Sequence, residues 1–237
     1  MVRKSLLGLA MVIAMSCLAG RAQAGSITVL QFGQANPNDV VTATEAAGMT
    51  SLSTAGNADG SNVSIPVLIT NFLGTPVVSI PAFETFVNVH SVGADTVAGG
   101  QVFQSFVGTV VFSSLPGGLG SDFLTATFVN PGLAGVTSGT LGGSQAQLSA
   151  TGPPEQLLLK SDFELAGFVN PTSMTLGFSN VSPALADMSA DQSIHSFTAQ
   201  NAGTFAASVV PEPSSLVLGG LGVLGMVPFA IRRQRRS

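Results

Sequence analysis

Short runs of β-branched and aromatic residues, each stopped by a turn signal, fill the chain from residue 25 to residue 210, and this punctuation limits the fold more than any other feature. The runs are 26–32, 63–70, 84–90, 101–113, 123–129, 144–149, 156–163, 173–178, 194–199 and 205–210. Between them stand Pro116, Gly117 and Gly118; Asn130 and Pro131; Gly152, Pro153 and Pro154; and Asn170 and Pro171. Proline presets φ, glycine accepts positive φ, and asparagine bonds its own backbone, so each cluster has a physical reason to end a strand. Gly108, inside the 101–113 run, reads as a bulge. Residues 41–47 alone suggest a helix, a short one. Regularly spaced short strands of this kind predict an all-β chain, a single antiparallel β-sandwich domain.

One stretch occurs twice. Residues 121–131 align without gaps to residues 161–171, and eight of the eleven positions are identical. Ser-Asp-Phe opens each copy and Phe-Val-Asn-Pro closes it. Equivalent strands are predicted, with Phe123 and Phe163 in matching core sites and each Asn-Pro ending its strand. Two copies are too few for a propeller or a solenoid, so two similar edge hairpins in one sandwich are expected.

The N-terminal end differs in kind. Arg3 and Lys4 precede an uncharged apolar run over 6–19. Ala22 and Ala24 then supply the small residues of a cleavage site before Gly25. This layout predicts a signal peptide over residues 1–24, removed by signal peptidase, and the run is too short to span a bilayer comfortably. The only cysteine, Cys17, lies within it, and Ala14, Met15 and Ser16 before it make a poor lipidation site. A mature chain starting at Gly25 therefore has no disulfide and no thiolate metal site, and its fold must rest on its own core.

Between residues 25 and 210, eleven acids stand against one base, Lys160. Such a surface repels nucleic acid and anionic lipid, so no nucleic-acid partner is expected. The chain has no Trp and no Tyr, which removes the usual stacking platforms for sugars and bases.

Candidate chemistry in this middle region is sparse. His90 and His195 each fall in a predicted strand, and nothing in their spacing brings them together on a metal. Gly142 to Ala146 superficially resembles a nucleophile elbow but lacks the second glycine and the α/β surroundings. With no cysteine and one lysine here, most hydrolase chemistry is excluded, and no catalytic residues are expected; paired carboxylates are the exception. A hydrolase would need two of Asp122, Asp162, Glu164, Asp187 and Asp191 to converge in a cleft. No cofactor is required by the sequence. Calcium is the one metal with a pattern: Asn57, Asp59 and Asn62 put oxygens at alternate positions around a glycine, without the closing Glu of an EF-hand loop. A turn rich in Asn, Asp and Gly explains the same residues.

The C-terminal end is the most specific part. Val210, Pro211, Glu212 and Pro213 are followed by Ser214 and Ser215, by a largely apolar, uncharged run over 216–231, and by Arg232, Arg233, Arg235 and Arg236. Two prolines make an extended stretch a protease can reach. Counted from Ser214, the run is long enough as a helix for a thin bilayer. The arginines would stop transfer and stay cytoplasmic. This tail resembles the PEP-CTERM sorting signal of bacteria with an outer membrane, through the Pro-Glu-Pro motif, the helix and the arginine cluster in that order. The resemblance covers about the last tenth of the chain. It implies recognition of Pro211, Glu212 and Pro213 by an exosortase, a membrane-embedded, cysteine transpeptidase-like protease. Proteins with such tails are linked to the cell surface, exopolysaccharide or biofilm matrix.

The middle also resembles extracellular domains that often precede this tail. The likeness lies in residues 123–128, in 141–144 with 148–150, and in 193–205. It implies a location and an all-β fold, and no activity.

The expected organisation is a signal peptide at 1–24, an extracellular β-sandwich at 25–209, and a sorting tail with a transmembrane helix at 210–237. The expected product is a secreted, non-enzymatic surface or matrix protein, held transiently or permanently at the inner membrane by its C-terminal helix. A module binding extracellular polysaccharide or calcium, and a carboxylate-dependent extracellular hydrolase, are the alternatives.

Overall fold

A computed structural model describes residues 26–54, 64–129, 136–140, 142–152, 156–164, 167–188 and 193–209. The strands are β1 (Ser26–Gln34), β2 (Val41–Ala46), β3 (Met49–Ser53), β4 (Ile65–Phe72), β5 (Thr75–Ser91), β6 (Thr96–Ala98), β7 (Gln101–Leu115), β8 (Leu119–Phe128), β9 (Val136–Thr140), β10 (Gln145–Gly152), β11 (Leu157–Lys160), β12 (Phe168–Ser182), β13 (Asp187–Met188), β14 (Ser193–Ile194) and β15 (Phe197–Val209). Among the described residues the pairings are antiparallel throughout. The chain is all-β there, and among the described residues no helix is long and apolar enough to cross a membrane.

Strands β1, β4, β5, β3, β2 and β15 pair in that order, and the pairing of β15 with β1 closes the circuit. A second path leaves β5 through β7, β9, β10 and β12 and also returns to β15. β8 lies along β7 with β11 beyond it, and β13 and β14 form a small sheet of their own. Closing the ladder gives partners to N–H and C=O groups that an open edge would expose.

Alternate side chains of these strands fill the interior. Phe32, Phe112 and Phe205 meet there, all buried, with ring centroids 4.6 Å apart for Phe32–Phe112 and 5.3 Å for Phe112–Phe205. Burying one such ring stabilises the fold by roughly 1.5–3 kcal/mol. β15 passes its neighbours closely at Gly203. A Cβ there would lie 2.6 Å from Leu176 Cδ2 and 2.9 Å from Phe32 Cε1.

Several expectations change. Residues 41–47 are not helical. Val41 and Ala43 are buried on one face of β2, the period of a strand rather than of a helix. Ala47 and Gly48, at φ +53° and +77°, then make a two-residue turn into β3, which sequence reading missed. Gly108 faces a bulge rather than carrying it. Val87 pairs with Thr109 and His90 with Val107, so Asn88 and Val89 oppose Gly108 alone. A Cβ at Gly108 would come within 2.6 Å of Val89 Cα, so only glycine fits.

Asn170 and Pro171 do not end a strand. β12 runs through them, with Val169 opposite Ser208 and Ser173 opposite Ala206, so three residues bulge past Ala207. Proline cannot donate to the ladder, and a bulge accommodates that. Thr172 anchors the bulge: its hydroxyl donates to Gly152 O at 2.8 Å and is 3.1 Å from Leu157 O.

The first half of β5 pairs only with β4 among the described residues, and Pro76 and Pro81 lie along it. Val77, Val78 and Ser79 bulge out opposite the stretch between Ile69 and Asn71, leaving Val78 99% exposed.

Candidate functional site

The two copies of the repeated segment meet each other. In the first, Asp122 and Phe123 sit in β8; in the second, Asp162 and Phe163 sit in the turn after β11. The last pair between these strands is Lys160 with Thr125. Beyond it, Asp162 N donates to Asp122 O at 3.0 Å, and Asp122 N donates to Asp162 Oδ2 at 2.8 Å. The Asp162 side chain thus extends the ladder where the strand has stopped.

The phenylalanines stack at 5.4 Å with an interplanar angle of 11°, and each meets Phe72 of β4 edge-on at 5.6 Å. Phe163 is 49% exposed, so this cluster is not the pair of matching core sites expected from the repeat. The copies differ because β11 ends at Lys160, which leaves Asp162 and Phe163 in a turn, whereas β8 continues as strand to Phe128.

An open cleft of about 340 Å³ is lined by Asp122, Thr125, Lys160, Asp162, Glu164 and Gly167, among others. Partial burial holds Asp122 above the usual carboxylate range. The Thr125 hydroxyl, which donates to Asp122 Oδ2 at 3.2 Å, pulls it down, and the neighbouring Asp162 charge pushes it up. Three of the five acids weighed for carboxylate chemistry therefore converge. Asp187 lies on β13 instead, and Asp191 is outside the described residues. Both aspartates of the cleft already accept bonds from the protein. What remains is an open, polar cleft of three acids and one lysine, whose donors and acceptors suit a hydroxylated ligand.

A second carboxyl group was missed in sequence. Glu84 is fully buried. Its Oε1 accepts from Asn201 Nδ2 at 2.7 Å, and its Oε2 is buried without a hydrogen-bond partner. Burial pushes its pKa up to about 8 against the opposing pull of Asn201, so the group keeps its proton at neutral pH. The signal lay in the alternation: Ala82, Glu84 and Phe86 share the buried face of β5.

The histidines are held locally. His90 Nδ1 is 2.9 Å from Asn88 O, and His195 Nδ1 is 3.0 Å from Ser196 O. Among the described residues no group of three His, Cys, Asp or Glu side chains is arranged to hold a metal ion. Gly142 and Gly143 form the turn between β9 and β10, with Gly143 N donating to Thr140 O at 2.8 Å, and not a nucleophile elbow. Asn57, Asp59 and Asn62 lie outside the described residues, as do Ala22 and Ala24 of the cleavage site. So do Val210, Pro211, Glu212, Pro213 and the arginines Arg232, Arg233, Arg235 and Arg236.

The family described as PEP-CTERM protein-sorting motif matches residues 209–236. Such a sorting signal implies export, transient anchoring through the tail, and processing by an exosortase. No curated protein and no solved structure matches the chain.

Proposed function

We propose that this chain is a non-enzymatic protein of the cell surface or extracellular matrix, whose residues 25–209 form a single β-sandwich displayed outside. One observation carries the reading: the sorting motif matched at 209–236 begins where β15 ends. Signal peptidase removes residues 1–24. The apolar run after Pro213 holds the chain at the inner membrane with its arginines inside. An exosortase acts near Pro211, Glu212 and Pro213, and the released domain joins the surface or its exopolysaccharide.

Intact mass spectrometry of the envelope form tests this, with and without replacement of Pro211, Glu212 and Pro213 by alanine. The native chain should lose residues 232–237 and the variant keep them. If both keep them, the tail is a plain anchor.

A second reading, a binding module for calcium or extracellular polysaccharide, draws on the open cleft that Asp122, Asp162 and Glu164 line with Lys160; the polysaccharide half fits better, because these acids are not arranged to hold a metal ion. Calcium titration and a glycan array on the secreted protein decide it; binding to neither removes it. The same acids are those a carboxylate-dependent hydrolase would use, and Glu164→Gln should then abolish turnover.

A further inference from the structure

The first and last strands of the domain are partners. Ser26 pairs with Ser208, Ile27 with Ala207 and Gly33 with Ala202, so β1 lies along β15 for most of its length. On its other side β15 holds β12 from Val209, opposite Phe168, to Thr198, opposite Ser182. Its first residues also hold β2, through Phe197 and Ala43. β15 therefore has neighbours on both sides along its length, and Phe197, Ala199, Phe205 and Ala207 are buried core. Its Asn201 also supplies the amide that meets the buried Glu84 carboxyl. Without β15 the core loses Phe205 from its central ring cluster, and the buried Glu84 carboxyl loses the amide that its Oε1 accepts from. Both circuits of strands stand open.

We propose that β15 is the closing strand of the exported domain: the sheet stays open until residues 197–209 have crossed the membrane, and it then closes with the tail still attached. The inference rests on the export reading above. A chain that crosses from its N-terminus delivers β1 first and β15 last, and a non-local ladder cannot form before its second strand arrives. Pairing reaches Val209, and the Pro-Glu-Pro motif starts two residues later. Closure therefore needs nothing from beyond the motif. Ser26 and Ser208 being opposite each other, both ends of the domain leave the sheet at one place, so a tether at either end leaves the ladder free to form.

Two measurements on the full chain test it. Gln31 and Thr204 are opposed across β1 and β15, within the usual reach of a directly opposed pair. A chain with Gln31→Cys and Thr204→Cys, and with Cys17→Ser, should form its bridge in molecules that still carry residues 232–237, as read by intact mass without reductant. A bridge confined to molecules that have lost the tail overturns the proposal. Gly203→Val should block the seating of β15 and make every strand of the domain digest about tenfold faster or more. Gly33→Ala, whose Cβ meets nothing within 4 Å, should leave digestion unchanged. A Gly203→Val chain cut in β15 alone, the remaining strands still resistant, overturns it as well. Failure of the sorting reading is separate: the tail is never removed, and the bridge and digestion results remain readable.

Discussion

Glu84 and the Asp122–Asp162 pair are both carboxyl groups drawn partly or wholly away from water, and in both places burial is the leading reason a pKa is raised. They differ in what surrounds them. Glu84 has one amide partner and no charged neighbour among the causes of its shift, and it stays neutral inside the core. Asp122 is only partly buried and has a second acid beside it; its Oδ2 and its backbone make local bonds, while its Oδ1 is buried without a hydrogen-bond partner. Depth decides the outcome: full desolvation outweighs one hydrogen bond, whereas partial desolvation leaves a group that its neighbours still tune.

The largest effect that can break this contrast is truncation of the interior group. Glu84→Ala leaves Asn201 Nδ2 without its partner and opens a cavity, at a cost of about 2–4 kcal/mol in urea unfolding at pH 5. A loss near zero would mean that water reaches the position. Next comes the pH dependence. The folded pKa of about 8 lies above the ordinary glutamate value of 4.5, so the folded state holds an extra proton between them. The associated stability is full below pH 4.5, falls as pH rises toward 8, and is level above that. Within the window each pH unit costs up to about 1.4 kcal/mol. Glu84→Gln should remove that slope, measured as urea midpoints from pH 5 to 9; parallel wild-type and variant curves would place the proton elsewhere.

Smaller effects sharpen the surface side. A double-mutant cycle on Phe123→Ala and Phe163→Ala should give a coupling of about 0.5–1.5 kcal/mol, and additive losses would show that the stacking contributes nothing. Asp162→Asn keeps an acceptor for Asp122 N while removing the charge. Stability should change by only about a few tenths of a kcal/mol, yet the Asp122 titration, followed by carboxyl NMR, should move down. An unmoved titration would leave burial as the sole cause.

Much of the strand pattern was legible because its signal is local. The runs at 26–32, 101–113 and 123–129 appear as β1, β7 and β8, and Pro116, Gly117 and Gly118 do form the turn between the last two. What was not legible depended on partners distant in sequence. Nothing in residues 41–46 announces a strand until β15 and β3 lie on either side. The repeat shows the same limit. Nearly identical segments become continuous strand in one place and a turn followed by a strand in the other, because a neighbour for residues 125–128 exists and the second copy is that neighbour's exit. The cleft followed from that pairing, so the acids could be named beforehand but not brought together. Glu84 was readable from period two alone and was passed over because a charged residue is expected outside.

The leading half of β5 bears on aggregation, since among the described residues it is bordered only by β4. A strand bordered on one side only is a template on which another copy could grow, and growth by identical copies ends in fibres. Pro76 and Pro81 each remove a donor from that template, and the protruding Val78 bulge breaks the straight line a newcomer would need. This half-strand is therefore a poor template for edge-to-edge pairing with a second copy.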